Sequence, residues 1–227
     1  MLSRMVQALL FDVQGTATDF HTPVTAAARE IIGGQRDWTD FVNRWRAAYF
    51  AATDSTYRNV SAVYRSALDA QLAADGIALS ETDRDRLNAA WRRLEPWPDT
   101  VAGLTRLRAH YTLATLSNAD VSAVVELSRH GGLPWHAVFT AEMAGVFKPD
   151  PATYAMAARY LGLEPPDIMM VACHKYDIRA AGALGFRTAF VARPLEYGDP
   201  ALADVTYSDE FDINAADFND LADQLGA

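Results

Sequence analysis

Asp12, Ser117, Asn118, Lys148 and Asp177 are the residues of this chain best placed to do chemistry, because each follows a short apolar run. VQALLFDV (6–13) carries Asp12 near its end, TLATLS (112–117) ends in Ser117, AVFT (137–140) precedes the loop bearing Lys148, and IMMVA (168–172) leads into Asp177. If these runs are parallel strands of one sheet, their carboxyl ends share the edge at which open α/β sheets bind ligands. A lysine set between two aspartates at that edge holds a carboxylate ionised and balances charge that develops in a reaction. A carboxylate at a strand tip is in turn free to attack an electrophile. Plainer roles stand beside these. Asp12 could cap the turn that follows it, Lys148 could lie solvated in its loop, Ser117 and Asn118 could form a simple turn, and Asp177 could cap a helix.

The elements that must position these residues alternate. After EPWPD (95–99), strands at 112–117, 137–140, 168–172 and TAFVA (188–192) are separated by helices, one from about Asp120 to His130 and one capped by Asp150 with Pro151 in its first turn. A further helix between the last two strands is closed by Gly185. Such alternation implies an α/β fold, a doubly wound and mostly parallel Rossmann-like sheet. The first strand is cut off from its partners by a stretch of different character. Trp38, Phe41, Val42, Trp45 and Tyr49 recur at helical spacing, as do Val60, Val63, Tyr64, Ala67 and Leu68, then Leu87, Ala90, Trp91 and Leu94 behind a Ser80 cap. The expected organisation is a core of residues 1–19 and 98–227, with a helical cap of residues 20–97 inserted after the first strand.

The chain has 227 residues, half of them hydrophobic, and a net charge of −9. No basic stripe is present, so neither nucleic acid nor an anionic membrane is expected as a partner. A small anionic substrate stays compatible, since one local Arg or Lys outweighs a distant surface. The single cysteine, Cys173, excludes an intrachain disulfide and fits a reducing compartment. The opening MLSRMVQALLFDV lacks the apolar core of a signal peptide, and no apolar stretch is long enough to cross a bilayer. A cytoplasmic protein is expected.

Four segments in order, FDVQGT (11–16), LSN (116–118), FKPD (147–150) and VACHKYD (171–177), resemble the motifs of the haloacid dehalogenase superfamily. The resemblance covers essentially the whole chain and places a helical insert where this one lies. It implies that Asp12 forms an ester intermediate, steadied by Thr16 and served by Lys148. Ser117 and Asn118 would bind the anionic end of the substrate, and Asp177 would tie down Lys148 or orient the hydrolytic water. Thr16 has a competing role in forming its turn.

Most members of the superfamily transfer phosphoryl groups with Mg²⁺, which is held by hard oxygen ligands. They carry a second Asp two residues after the nucleophile, where this chain has Gln14, and a Gly-Asp-Ser motif where it has Ala172, Cys173 and His174. The pattern is closer to the metal-independent type II 2-haloacid dehalogenases, which turn a short L-2-haloacid into a 2-hydroxy acid with inversion. That branch implies no cofactor, a small carboxylic-acid substrate and often a homodimer formed through the cap, with aromatic-rich helices to support it. Trp45–Arg46 matches its Trp-Arg pair, whose arginine receives the halide, and Tyr154 falls where it keeps an active-site tyrosine. Arg46 could instead be a surface arginine and Tyr154 a core aromatic. Gln14 stands in place of an aromatic and turns an apolar pocket wall polar. His174 either orients the hydrolytic water or bonds within a strand-end turn, and Cys173 reads as a small buried residue. With Gln14 and the hydroxyls of the 49–53 segment, the same mechanism would also suit ring opening of L-azetidine-2-carboxylate, where an amine leaves. Lacking the paired carboxylates, the enzyme should keep full turnover in excess EDTA; strict Mg²⁺ dependence with phosphate release from a phosphomonoester would overturn the assignment.

Overall fold

ALLF, the strand β1 (Ala8–Phe11), offers no polar side chain and is completely buried, the condition of a strand covered on both faces of a parallel sheet. A computed structural model describes residues 6–53 and 56–227. Residues 1–5 of the expected core segment 1–19 and residues 54 and 55 of the expected cap lie outside the described residues. After β1 come β2 (Thr18–Asp19), α1 (His21–Ile32), α2 (Trp38–Ala52), α3 (Val60–Ala74), α4 (Glu81–Ala89) and β3 (Glu95–Pro96). The alternating half follows with α5 (Thr100–Arg108), β4 (Thr112–Ser117), α6 (Val121–Gly131), β5 (Ala137–Thr140), α7 (Ala141–Ala144), α8 (Pro151–Leu161), β6 (Ile168–Ala172), α9 (Lys175–Ala183), β7 (Arg187–Val191), β8 (Ile213–Ala215) and α10 (Phe218–Gln224).

Six strands pair in the order β5-β4-β1-β6-β7-β8, every pair parallel. The order reverses at β1, so the carboxyl edge of β1 and its neighbours β4 and β6 is the topological switch point where such sheets bind ligands. Alternation along β1 sends Leu9 and Phe11 to one face and Ala8 and Leu10 to the other, each pair entering a separate hydrophobic cluster. The antiparallel bridge between β2 and β3 closes the base of the helical insert.

The insert is held by aromatic packing. Tyr64 lies between Tyr49, at 4.0 Å and 9°, and Trp91, at 4.2 Å and 19°, while Trp45 meets Trp91 edge-on and donates its indole N–H to the Tyr64 carbonyl at 2.8 Å. These rings are turned inward, and Trp45, Tyr49 and Tyr64 are at most 1% exposed. The aromatic richness of these helices therefore serves their own interior and does not by itself mark an outer face for a second copy. Sequence periodicity runs Leu87, Ala90, Trp91 and Leu94 as one helix, but α4 stops at Ala89 and a 3₁₀ turn over Ala90–Arg92 follows. The tighter turn sets Trp91 onto the tyrosine stack. The strand β1 is shorter than its apolar run, by two residues at each end of 6–13, and β7 begins one residue earlier than 188–192, whereas β4, β5 and β6 coincide with theirs.

One carboxylate ties the insert to the α/β half. Asp120, just before α6, accepts from the backbone N–H groups of Val60 and Ser61 and from the hydroxyls of Ser61 and Tyr57. It thereby satisfies the first turn of α3 from a distance of 60 residues in sequence. Asp120→Ala should strand those donors and cost about 2–3 kcal/mol of unfolding free energy by denaturant titration; a loss below about 0.5 kcal/mol would show the link to be dispensable.

Candidate active site

β1 ends at Phe11, and the Asp12 N–H still donates to Val171 of β6 at 3.0 Å, which fixes where the Asp12 side chain leaves the sheet. Three groups hold its carboxylate. Lys148 Nζ donates to Oδ1 at 3.1 Å, Thr16 Oγ1 donates to Oδ2 at 2.7 Å, and His174 Nδ1 lies 3.1 Å from Oδ2. Lys148 also donates to Asp177 Oδ2 at 2.5 Å, and Tyr154 donates its hydroxyl to Asp177 Oδ1 at 2.5 Å. Both oxygens of Asp177 are thus engaged and the residue is wholly buried, an arrangement that fits tying down Lys148 rather than holding a water. Tyr154, expected against the substrate, is itself wholly buried and lies behind Asp177, away from the cavity.

Asn118 grips the backbone of Lys148 from both sides. Its Oδ1 accepts from the Lys148 N–H at 2.7 Å and its Nδ2 donates to the Lys148 carbonyl at 3.1 Å, so the side-chain amide expected on a substrate is already engaged. Opposite, Arg46 of α2 is 3% exposed, with its guanidinium 4.2 Å above the Phe20 ring and 4.8 Å above the Phe50 ring. It donates to the Tyr64 hydroxyl at 3.2 Å, while its Nε has no partner among the described residues. Asp12, Gln14, Arg46, Ser117, Asn118, Lys148 and His174 line a cavity of about 20 Å³, together with Tyr49, Phe50 and Tyr176. That is room for one or two waters.

Glu196, in the loop after β7, was not singled out by sequence reasoning and is 4% exposed. Its Oε1 lies 2.7 Å from His174 Nε2 and 3.9 Å from Arg46 Nη2. The approach depends on Gly15. A Cβ there would stand 2.4 Å from Glu196 Oε1, and the backbone φ of +92° already favours glycine. Arg193 holds the same loop in place, donating to the Thr16 carbonyl at 2.7 Å and to both oxygens of Asp99 at 2.7 and 2.9 Å. Its one local mark in the sequence is that Arg193 and Glu196 are the first charged residues after the apolar run 188–192.

Burial by itself would push the Asp12 carboxyl up, but the Lys148 and His174 cations and the hydrogen bonds from His174 and Thr16 prevail and hold it well below the ordinary carboxylate range. Burial, opposed by Lys148 but aided by the Asp12 charge, raises Asp177. Burial disfavours the charged form of His174, yet Cys173, Glu196 and Asp12 around it outweigh that and raise its pKa well above the usual histidine value. Glu196 is lowered despite its burial, because His174 and Arg46 face it.

A family model of haloacid dehalogenase-like hydrolases matches residues 6–185. The chain belongs to that family. It is 31% identical to (S)-2-haloacid dehalogenase 1 of Pseudomonas sp. (strain CBS-3), over 85% of this chain and 88% of that one. An L-2-haloacid dehalogenase crystal structure, 38% identical, superposes with a TM-score of 0.91 over 97% of this chain and 99% of the other. Another, from Xanthobacter autotrophicus with chloropropionic acid covalently bound, is 26% identical with a TM-score of 0.84, over 98% and 99%. Among haloacid dehalogenase-like hydrolases, a Mg²⁺ site would need hard oxygen donors around Asp12. Here Asp12 is contacted by Lys148 and His174, and the flanking positions hold Gln14, Ala172 and Cys173, a set that does not fit the ion.

The raised His174 pKa has a stability consequence. The proton is held in the folded state above the unfolded value of about 6.5, so the contribution is full below that pH and is lost as pH rises through the folded pKa. The stability gap between wild type and His174→Gln should be widest near pH 6 and narrow steadily toward alkaline pH in denaturant titrations. A gap independent of pH would mean that His174 is neutral in the fold.

Proposed function

We propose that this chain is a metal-independent hydrolase of short L-2-haloacids that works through an ester on Asp12. The observation that carries the proposal is an ionised Asp12, held by Lys148 and Thr16 at the sheet edge, sharing a small cavity with the buried Arg46. A carboxylate oxygen of Asp12 attacks C2, the carbon–halogen bond breaks, and the halide departs toward Arg46, whose Nε is free to donate. Ser117 and the Asn118 backbone face the substrate carboxylate. Water then attacks the carbonyl carbon of the ester, so C2 is displaced only once and the 2-hydroxy acid emerges inverted.

His174 is the base in that second step. Esterification removes the negative charge facing Nδ1, which makes the imidazolium more acidic. The Nδ1 proton passes to solvent as the halide leaves, giving an imidazole whose remaining Nε2–H donates to Glu196. Nδ1 then takes a proton from the attacking water and returns it to the alkoxide oxygen of the departing hydroxy acid as Asp12 is regenerated. Asp177 and Tyr154 fix the Lys148 ammonium from behind. Residues 1–19 and 98–227 act as the catalytic core, and residues 20–97 as the cap that brings Arg46, Tyr49 and Phe50 to the cavity. The similar dehalogenase with chloropropionic acid covalently bound supports the ester route.

A single turnover of L-2-chloropropionate in H₂¹⁸O, with enzyme in excess, should label the Asp12 peptide and leave the new hydroxyl unlabelled. Asp12→Asn should stay folded and lose on the order of 10⁴-fold or more in kcat. Label in the product on the first turnover, or an Asp12→Asn enzyme with substantial activity, would overturn the covalent mechanism.

A further inference from the structure

Behind the catalytic cavity lies a second one of about 320 Å³, and the two share His174 and Tyr176 as a common wall. Cys173, His174 and Glu196 all line the second cavity, and their Sγ, ring nitrogen and carboxylate oxygen atoms lie within 4.8 Å of one another. Glu196 Oε2 is 3.6 Å from Cys173 Sγ, and Glu196 Oε1 is 2.7 Å from His174 Nε2. In a tetrahedral zinc site the bond lengths put neighbouring S, N and O donors roughly 3.3–3.7 Å apart. The three side chains stand near that spacing: the His174–Glu196 contact must open by roughly 0.6 Å or a little more, and the thiol must draw in toward the ring.

We propose that Cys173, His174 and Glu196 form a binding site for a borderline or soft divalent cation, Zn²⁺ or Co²⁺, whose occupation shuts down the neighbouring reaction. The cavity supplies an entry path and space for water as the fourth ligand. The outer partners are also in place. His174 Nδ1 is bonded to Asp12 Oδ2 at 3.1 Å, giving a carboxylate–histidine pair with Nε2 turned toward the ion, and Thr16 Oγ1 lies 3.3 Å from the thiol sulfur. Three cations oppose the ion. Arg46 lies 3.9 Å from Glu196, while Arg193 and Lys175 on the cavity wall are already paired, Arg193 with both oxygens of Asp99 and Lys175 with Asp204 at 2.8 Å. A sulfur ligand disfavours Mg²⁺, so the site selects Zn²⁺ and Co²⁺ over the harder ion. An ion on Nε2 separates His174 from Glu196 and draws electron density from the ring, so Nδ1 no longer serves as a base.

The binding half of this inference stands on geometry alone, and only the inhibition half rests on the proposed role of His174. The full-length protein, stripped with chelator and titrated with Co²⁺, should bind one equivalent with a strong thiolate-to-cobalt charge-transfer band, unambiguous because Cys173 is the only cysteine. Cys173→Ala should abolish the band and weaken Zn²⁺ binding at least about a hundredfold. Glu196→Gln should keep the band while losing roughly ten- to a hundredfold in affinity. No band in the wild type, or a band that survives in Cys173→Ala, would overturn the site. Turnover of L-2-chloropropionate should fall in step with Zn²⁺ occupancy and be untouched by equal Mg²⁺; undiminished turnover at saturating Zn²⁺ would overturn the inhibition whatever the spectra read.

Discussion

The ammonium of Lys148 is the interaction on which the rest of the site depends. It is 2% exposed and sits between Asp12 and Asp177, at 3.1 and 2.5 Å. Taking charges of this kind out of water is costly, and removing one partner from such a pair costs about 3–5 kcal/mol because the remaining charge is left uncompensated. The neighbourhood is built to avoid that outcome. Asp12, Asp177 and Glu196 supply three negative charges, and Lys148, His174 and Arg46 supply three positive ones once His174 is protonated. Glu196 therefore has a clear physical reason to be there: without it the buried cluster would carry an excess cation.

Neutrality alone would not fix positions, and the fold supplies them through backbone contacts from separate strand ends. Asn118 beyond β4 grips the Lys148 peptide, Val171 of β6 accepts from the Asp12 N–H, and Arg193 beyond β7 binds the Thr16 carbonyl. Each grip joins residues that are adjacent only because β5, β4, β1, β6 and β7 are consecutive in the sheet. The strand order is thus what turns scattered polar residues into one charged cluster.

That division explains what the sequence disclosed. Buried strands such as IMMVA and helical stripes such as Trp38-Phe41-Trp45-Tyr49 are local periodicities, and they read correctly to within a few residues. β8 (INA) is three residues long with a polar centre, and α10 is a short helix, so neither stood out. The cluster members at strand ends were legible because motif order and spacing marked them. Glu196 was not, because its meaning comes from a partner 22 residues earlier and from a glycine at position 15, relations that no period encodes. Asn118 and Tyr154 show the same limit in reverse: their residue types suit substrate contact, while packing commits them to Lys148 and Asp177.

The balanced cluster also bears on how the proposed reaction changes state. In the free protein His174 holds its proton because carboxylates flank both ring nitrogens. On the proposed route, converting Asp12 into an ester removes the negative charge that faces His174 Nδ1, while the negative charge of the substrate's own carboxylate is held elsewhere, against Ser117 and the Asn118 backbone. In a medium where charges are poorly screened, the loss of that neighbouring charge is felt most by the group that faced it and whose ordinary pKa is closest to neutrality, which is the imidazolium and not Lys148 or Arg46. The Asp12 charge that keeps His174 from acting as a base before the ester forms is thus lost, on the proposed ester route, once it has formed, and Glu196 at 2.7 Å holds the ring in place throughout.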